Sequence, residues 1–241
     1  MLNNFLPKEN FKPGTVIIAG AGPGNPELIT LRVYFAILHA DVIIYDGLVN
    51  KEILKIAKTK ELIFAGKAFK NKSCTQEEII DWMVKNAKNK KRVVRLKGGD
   101  SSIFGRGAEE IEGLRLNKIP FKIFSGITSS QEANRLMRDN LNEQKSICYV
   151  TGHKAIKSLT PGINYKRLAK FNGQIIVYMG LSQINLIASK LIFYGKKKST
   201  KVQILSDISL AQQKIIKTNL EECSIVKDKY RLKPPAIILI N

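Results

Sequence analysis

The sequence predicts an α/β protein built from two α/β domains, and three observations carry that reading. Short β-branched runs alternate with helical patterns along most of the 241 residues. The first such run opens into a glycine-rich turn, VIIAGAGPGNPELIT at 16–30. A later run ends in a second glycine cluster, RVVRLKGGDSSIFGRGAEEIEGL at 92–114. Strand and helix in alternation are the pattern of a mostly parallel sheet covered on both faces.

Candidate strands fall at 15–19, 41–45, 61–65, 92–96 and 121–124, with helical stretches at about 26–39, 50–58, 76–88 and 105–117. Thr75 followed by Glu78 before IIDWMVKNA reads as a capping box, which fixes the start of the third helix. After SGITSS at 125–130 the rhythm loosens, with strands at 146–150, 174–178, 201–205 and 236–240 and a helix near 182–193. The simplest division is an N-terminal extension over 1–14, a first domain over 15–126 and a second over 127–241.

Composition bounds the function. Hydrophobic residues make up 44% and charged residues 25%, as expected of a globular protein. Three widely spaced cysteines, Cys74, Cys148 and Cys223, form neither a disulfide framework nor a zinc pattern, so a reducing cytoplasm is expected and no metal. The opening MLNNFLPKENFKPG has no apolar core of a signal peptide, and no apolar run is long enough for a membrane span. The net charge of +20 suits an acidic partner, nucleic acid or a polyanionic small molecule. The basic runs KNAKNKKR and GKKKSTK, however, lack the interleaved aromatics of a single-strand binding groove, and they read as solvated surface.

The first glycine turn places Gly20, Gly22 and Gly24 in a G-x-G-x-G spacing. A dinucleotide fingerprint wants glycine at position 25, where this chain has Asn25, and Pro23 removes an amide from the turn. No acidic residue closes the first strand. The second cluster ends its strand in Lys97-Gly98-Gly99-Asp100, where paired glycines let a ligand approach the backbone and a carboxylate stands beside them. Ligands of open α/β sheets bind at the carboxyl ends of strands, so both loops are expected at one crevice.

These segments, with ADVIIYDGLV, Gly66-Lys67, QEEI, GIT, VTGH and YMGL in the same order, resemble the uroporphyrinogen-III C-methyltransferase branch of the tetrapyrrole methylase family. The match is close over about 15–130 and looser over 146–241. The resemblance implies two α/β domains, S-adenosyl-L-methionine in the cleft between them, S-adenosyl-L-homocysteine as product, a polycarboxylate tetrapyrrole as substrate, and a homodimer. It assigns cofactor contacts to Pro23, Gly98, Gly99, Asp100, Ile103, Thr128, Ser129, Met179 and Ala236. It assigns proton handling to Asp46 and Lys67, a carboxylate base and a cationic acid, and substrate contacts to Arg95 and Arg106. Forked guanidinium donors suit a substrate with eight carboxylates. His153 belongs to the motif and reads as structural; His39 reads as a helix-terminal histidine.

The chain departs from the family pattern at several points. Gly47 stands where Arg usually follows Tyr-Asp, and Ser101 and Ser125 replace prolines. RDNLNEQK replaces a Thr-His-Arg segment, and SDISL at 206–210 replaces a Gly-Thr, with Ile208 at a position that usually gives a backbone contact. These changes leave a later corrin precursor as an alternative substrate. The net charge leaves a nucleic-acid-binding or RNA-modifying protein as an alternative of another class.

Overall fold

The structure is a computed structural model, and it describes residues 11–59, 61–66, 74–137, 146–152 and 162–241. The chain divides into two units, residues 1–128 and 129–241.

The first unit is a parallel five-stranded sheet in the order β3-β2-β4-β1-β5. Its strands are β1 (Val16–Gly20), β2 (Val42–Tyr45), β3 (Leu62–Phe64), β4 (Val93–Lys97) and β5 (Phe121–Phe124). β1 and β4 are buried along their whole length, as parallel strands covered on both faces must be. Side chains alternate in direction, so Ile17, Ala19, Ile43, Val94 and Leu96 pack on one face against Val33, Ala36 and Ile37 of α1 (Leu31–His39). Val16, Ile18, Val42, Ile44 and Val93 pack on the other, against Ile79, Met83 and Val84 of α3 (Gln76–Lys88) and Leu114 of α4 (Gly107–Leu116). A short α2 (Lys51–Leu54) follows β2.

Local signals explain most of these elements. The Thr75 hydroxyl accepts from the Glu78 amide while the Glu78 carboxylate accepts from the Thr75 amide, so the capping box is present at α3. The helix expected over 26–39 is two pieces. Pro26–Leu28 forms a 3-10 turn capped by Asn25, and α1 starts afresh because the Thr30 hydroxyl accepts from the Val33 amide. A capping side chain outweighed the continuous apolar periodicity there.

The second unit is a five-stranded mixed sheet in the order β6-β7-β10-β8-β9. Its strands are β6 (Ile147–Thr151), β7 (Gln174–Tyr178), β8 (Lys201–Ser206), β9 (Lys214–Asn219) and β10 (Ala236–Ile240). Only β6 and β7 run parallel; β10 is antiparallel to β7 and β8, and β8 to β9. One face packs Ile175, Val177, Ile204 and Ile238 against α6 (Tyr165–Ala169), α7 (Ile184–Phe193) and α8 (Cys223–Lys229). The other packs Ile176, Leu205, Ile237 and Leu239 against Ala133 of α5 (Ser129–Leu136) and Met137 just beyond it. Among the described residues no helix is long and apolar enough to cross a membrane, and no cluster of His, Cys, Asp and Glu could hold a metal ion.

Candidate functional site

At the carboxyl ends of β1, β4 and β5 the first unit carries three loops in direct backbone contact. The Gly22 amide donates to the Gly99 carbonyl at 3.1 Å and the Gly99 amide returns to Gly22 at 2.8 Å. The Ala21 amide adds a bond to the Lys97 carbonyl at 2.7 Å. This approach has no room for side chains: a Cβ on Gly20 would sit 2.5 Å from the Gly99 oxygen and 2.7 Å from the Gly126 nitrogen. Gly99 holds φ +68°, and the direction its Cβ would take is open. The backbone there is not covered by a side chain.

Asp100 braces this arrangement. One carboxylate oxygen accepts the Ser102 amide at 2.7 Å and the Ser102 hydroxyl; the other accepts the Gly126 amide at 3.0 Å, tying the β4 loop to the β5 loop. A carboxylate has about four lone-pair sites, so three bonds leave it capacity for a ligand. Ile103 is half-buried in the same loop, its amide donating to the Asp100 carbonyl. Pro23 is half-buried in the first loop, and Thr128 is buried at the end of the unit.

Asp46 follows β2 directly, its amide bound to the Leu96 carbonyl of β4 at 3.1 Å and its side chain 29% exposed. Its carboxylate pairs with the Arg95 guanidinium. Arg95 itself is 2% exposed. It donates Nε to Glu110 at 2.9 Å, one terminal nitrogen to Asp46 and the other toward the carbonyls of Ile44 and Leu96. The resemblance assigns Arg95 to substrate; in the structure its guanidinium is buried beneath α4 and paired with Glu110 and Asp46. Lys67 and His153 lie outside the described residues, as does the segment 138–145.

Sequence reasoning missed two members of this cluster. Lys97 is buried and donates Nζ to Glu110 at 2.8 Å, and Glu110 is fully buried. Burial, followed by the nearby Arg95 charge, holds the Lys97 ammonium below the usual lysine range, against the opposing pull of Glu110 and Asp46. The signal was present: charges at positions 95 and 97 share one face of an otherwise apolar strand, so a buried counter-charge had to come from the helix packed on it.

Arg106 opens α4 in a left-handed conformation and is largely exposed, forked onto Glu109 at 2.8 and 2.6 Å. The same Glu109 contact holds its guanidinium above the usual arginine range.

The second unit gathers its own set. Met179 follows β7 with φ +51° and is 47% exposed. Ala236 starts β10, whose next residue Ile237 pairs with Tyr178, so Met179 and Ala236 lie at one end of the sheet. Ile208, buried, stands just past the adjoining end of β8. Ser129 is the half-buried first residue of α5.

A parallel α/β unit with glycine loops zipped at its strand ends, followed by a mixed α/β unit, defines a class of two-unit α/β proteins. Residues 15–224 match the model of the tetrapyrrole (corrin/porphyrin) methylases, and the chain belongs to that family. It is 38% identical to a uroporphyrinogen-III C-methyltransferase of Methanocaldococcus jannaschii over 95% of this chain and 96% of that one. It is 34% identical to a siroheme synthase of Psychrobacter arcticus over 99% of its length but spans only 44% of that relative. The crystal structure of uroporphyrin-III C-methyltransferase from Thermus thermophilus in complex with S-adenosylhomocysteine matches with a TM-score of 0.79 and 29% identity, over 94% of this chain and 92% of that one.

Proposed function

We propose that this chain uses S-adenosyl-L-methionine to methylate carbon atoms of uroporphyrinogen III, giving precorrin-2, and that it works as a homodimer. The observation that carries the reading is the open backbone at Gly99, flanked by the braced carboxylate of Asp100, in a member of the tetrapyrrole methylases. Those features fit the cofactor: Gly98 and Gly99 would lie against it, with Asp100 receiving its hydroxyl or ammonium groups and Pro23 and Ile103 supplying apolar contact. Thr128, Ser129, Met179 and Ala236 complete the proposed cofactor contacts.

S-adenosyl-L-methionine, when bound, supplies an electrophilic methyl group on a sulfonium. Transfer of that methyl to a pyrrole carbon would leave the bonding pair on sulfur and require the macrocycle to give up one proton. Asp46 accepts that proton at its carboxylate, oriented from behind by Arg95. Lys67, the cationic acid the resemblance implies, is proposed to share the handling of that proton with Asp46. Holding the reacting atoms together carries most of the acceleration, because the methyl is already activated. Arg106 meets a substrate carboxylate; its exposure leaves the guanidinium able to reach a second anion beside Glu109. The +20 net charge would draw a polycarboxylate in at low ionic strength.

The test is anaerobic incubation of the protein with uroporphyrinogen III and S-adenosyl-L-methionine, read by mass spectrometry. Gain of two methyl groups is expected. Binding of S-adenosylhomocysteine without any methyl transfer would overturn the substrate assignment.

A further inference from the structure

Four ionisable side chains meet under α4, and they divide evenly in sign. Arg95 and Lys97 point from one face of β4, and both reach the same oxygen of Glu110, at 2.9 and 2.8 Å. The second oxygen of Glu110 is buried with no partner among the described residues, so all its pairing passes through the atom the two cations share. Arg95 then extends its other edge to Asp46, the one member of the set with appreciable exposure.

Such a set is costly to bury unless it is neutral as a whole. Removing any one charge leaves the other three unbalanced in a medium where charges are poorly screened. Arg95 cannot adjust, since a guanidinium keeps its proton. Lys97 can. The charged groups facing Lys97 are Arg95 on its own strand, Glu110 on α4 and Asp46 after β2.

We propose that Glu110 and Lys97 are positioning residues which hold the Arg95 guanidinium against the Asp46 carboxylate and, through it, couple the charge at Asp46 to that at Lys97. Glu110 holds the guanidinium flat against the end of β2, so that one edge is presented to Asp46. Lys97 offsets the Glu110 charge, so that Arg95 is not drawn wholly to α4. The proposal rests on the reading of Asp46 as the proton acceptor only for its catalytic consequence; the coupling itself stands on the four contacts.

Two variants act in opposite directions. Glu110→Gln removes a negative charge, leaves the cluster positive and favours ionised Asp46, so the acid limb of the kcat profile moves to lower pH. Lys97→Met removes a positive charge, leaves the cluster negative, and moves that limb to higher pH. Shifts of about half a pH unit or more are expected, the size of effect produced by a nearby charge. A merely structural role would lower activity in both variants without moving the limb in opposite senses.

A second measurement reads the ammonium directly, apart from turnover. Lysine side-chain NMR follows the Lys97 ammonium, assigned by its loss in Lys97→Arg, in the wild type and in Asp46→Asn. Losing the Asp46 charge is expected to let Lys97 give up its proton at lower pH. An unchanged Lys97 midpoint, or same-direction movement of the acid limb in both buried variants, overturns the coupling. Retained turnover in Asp46→Asn with a shifted Lys97 midpoint would instead remove Asp46 as acceptor and leave the coupling in place.

Discussion

Gly22 and Gly99 face each other as an antiparallel pair, each donating its amide to the other's carbonyl. The pair joins two loops that are 77 positions apart in a unit whose sheet is otherwise parallel. Parallel strands end with their carbonyls and amides unspent, so their loops must find partners or water. Here they find each other, and the side-chain-free contact makes one rigid backbone platform from three strand ends.

That platform has little tolerance for a methyl group. A Cβ on Gly126 would collide with the carbonyl oxygens of Gly99 and Gly20, and one on Gly98 would sit 2.7 Å from the Leu48 Cβ. Gly126→Ala is expected to cost about 1–3 kcal/mol, as overpacking does, and to weaken S-adenosylhomocysteine binding. Gly98→Val is expected to abolish that binding. Calorimetry and thermal melts decide it: wild-type affinity in both variants would place the ligand elsewhere.

Asp100 is the only side chain described as linking the β4 loop to the Gly126 amide. Asp100→Ala loses that bond and both bonds from Ser102. The expected result is a loss of about 1–3 kcal/mol of stability, since each bond to a charged acceptor is worth about that and water replaces part of it. S-adenosylhomocysteine affinity should fall further than Ser102→Ala makes it fall, because Ser102 keeps its amide. Equal affinities in the two variants would reduce Asp100 to an ordinary turn residue.

Asp46→Asn keeps an oxygen for the Arg95 guanidinium, so the fold should persist, while the charge is lost. Turnover is expected to drop by about 10²–10⁴, the usual worth of a general base, with S-adenosylhomocysteine affinity at the wild-type level. Steady-state kinetics beside a binding isotherm separates the two. Equal loss of binding and turnover would mean that Asp46 shapes the ligand site and takes no proton.

Much of the first unit was legible because each of its signals is local. Thr75 and Glu78 announce the start of α3, and apolar runs entering glycines announce β1 and β4. The role of Arg95 was not legible from type alone: an arginine in a strand reads as a ligand for carboxylates, and which carboxylate it meets depends on the helix packed above. Glu110 sits 15 positions away, and its neighbour Glu109 turns outward to Arg106. In the second unit β9 was missed because KIIKTN lies half-exposed at a sheet edge, where lysines mask the alternation. The mixed strand directions follow from long-range pairing, which no local pattern encodes.

Cys223 gives a test of the second unit that is independent of the ligand. Its thiol is 1% exposed, lies 3.3 Å from the Leu220 carbonyl, and is pushed by burial from an ordinary 9.0 up to about 11. The unfolded chain gives up this proton above 9.0, whereas the folded chain keeps it to about 11, so the native state binds more protons in that window. Stability therefore is fully present below pH 9.0 and falls as pH rises through about 11, by at most about 3 kcal/mol for this group. Cys223→Ser keeps a donor for the Leu220 carbonyl and removes the titration. The difference between wild-type and variant denaturation profiles should be flat below pH 9 and slope downward above it. A flat difference throughout would mean that the thiol ionises as freely in the fold as outside it, and that the packing of α8 on the sheet is looser than the structure has it.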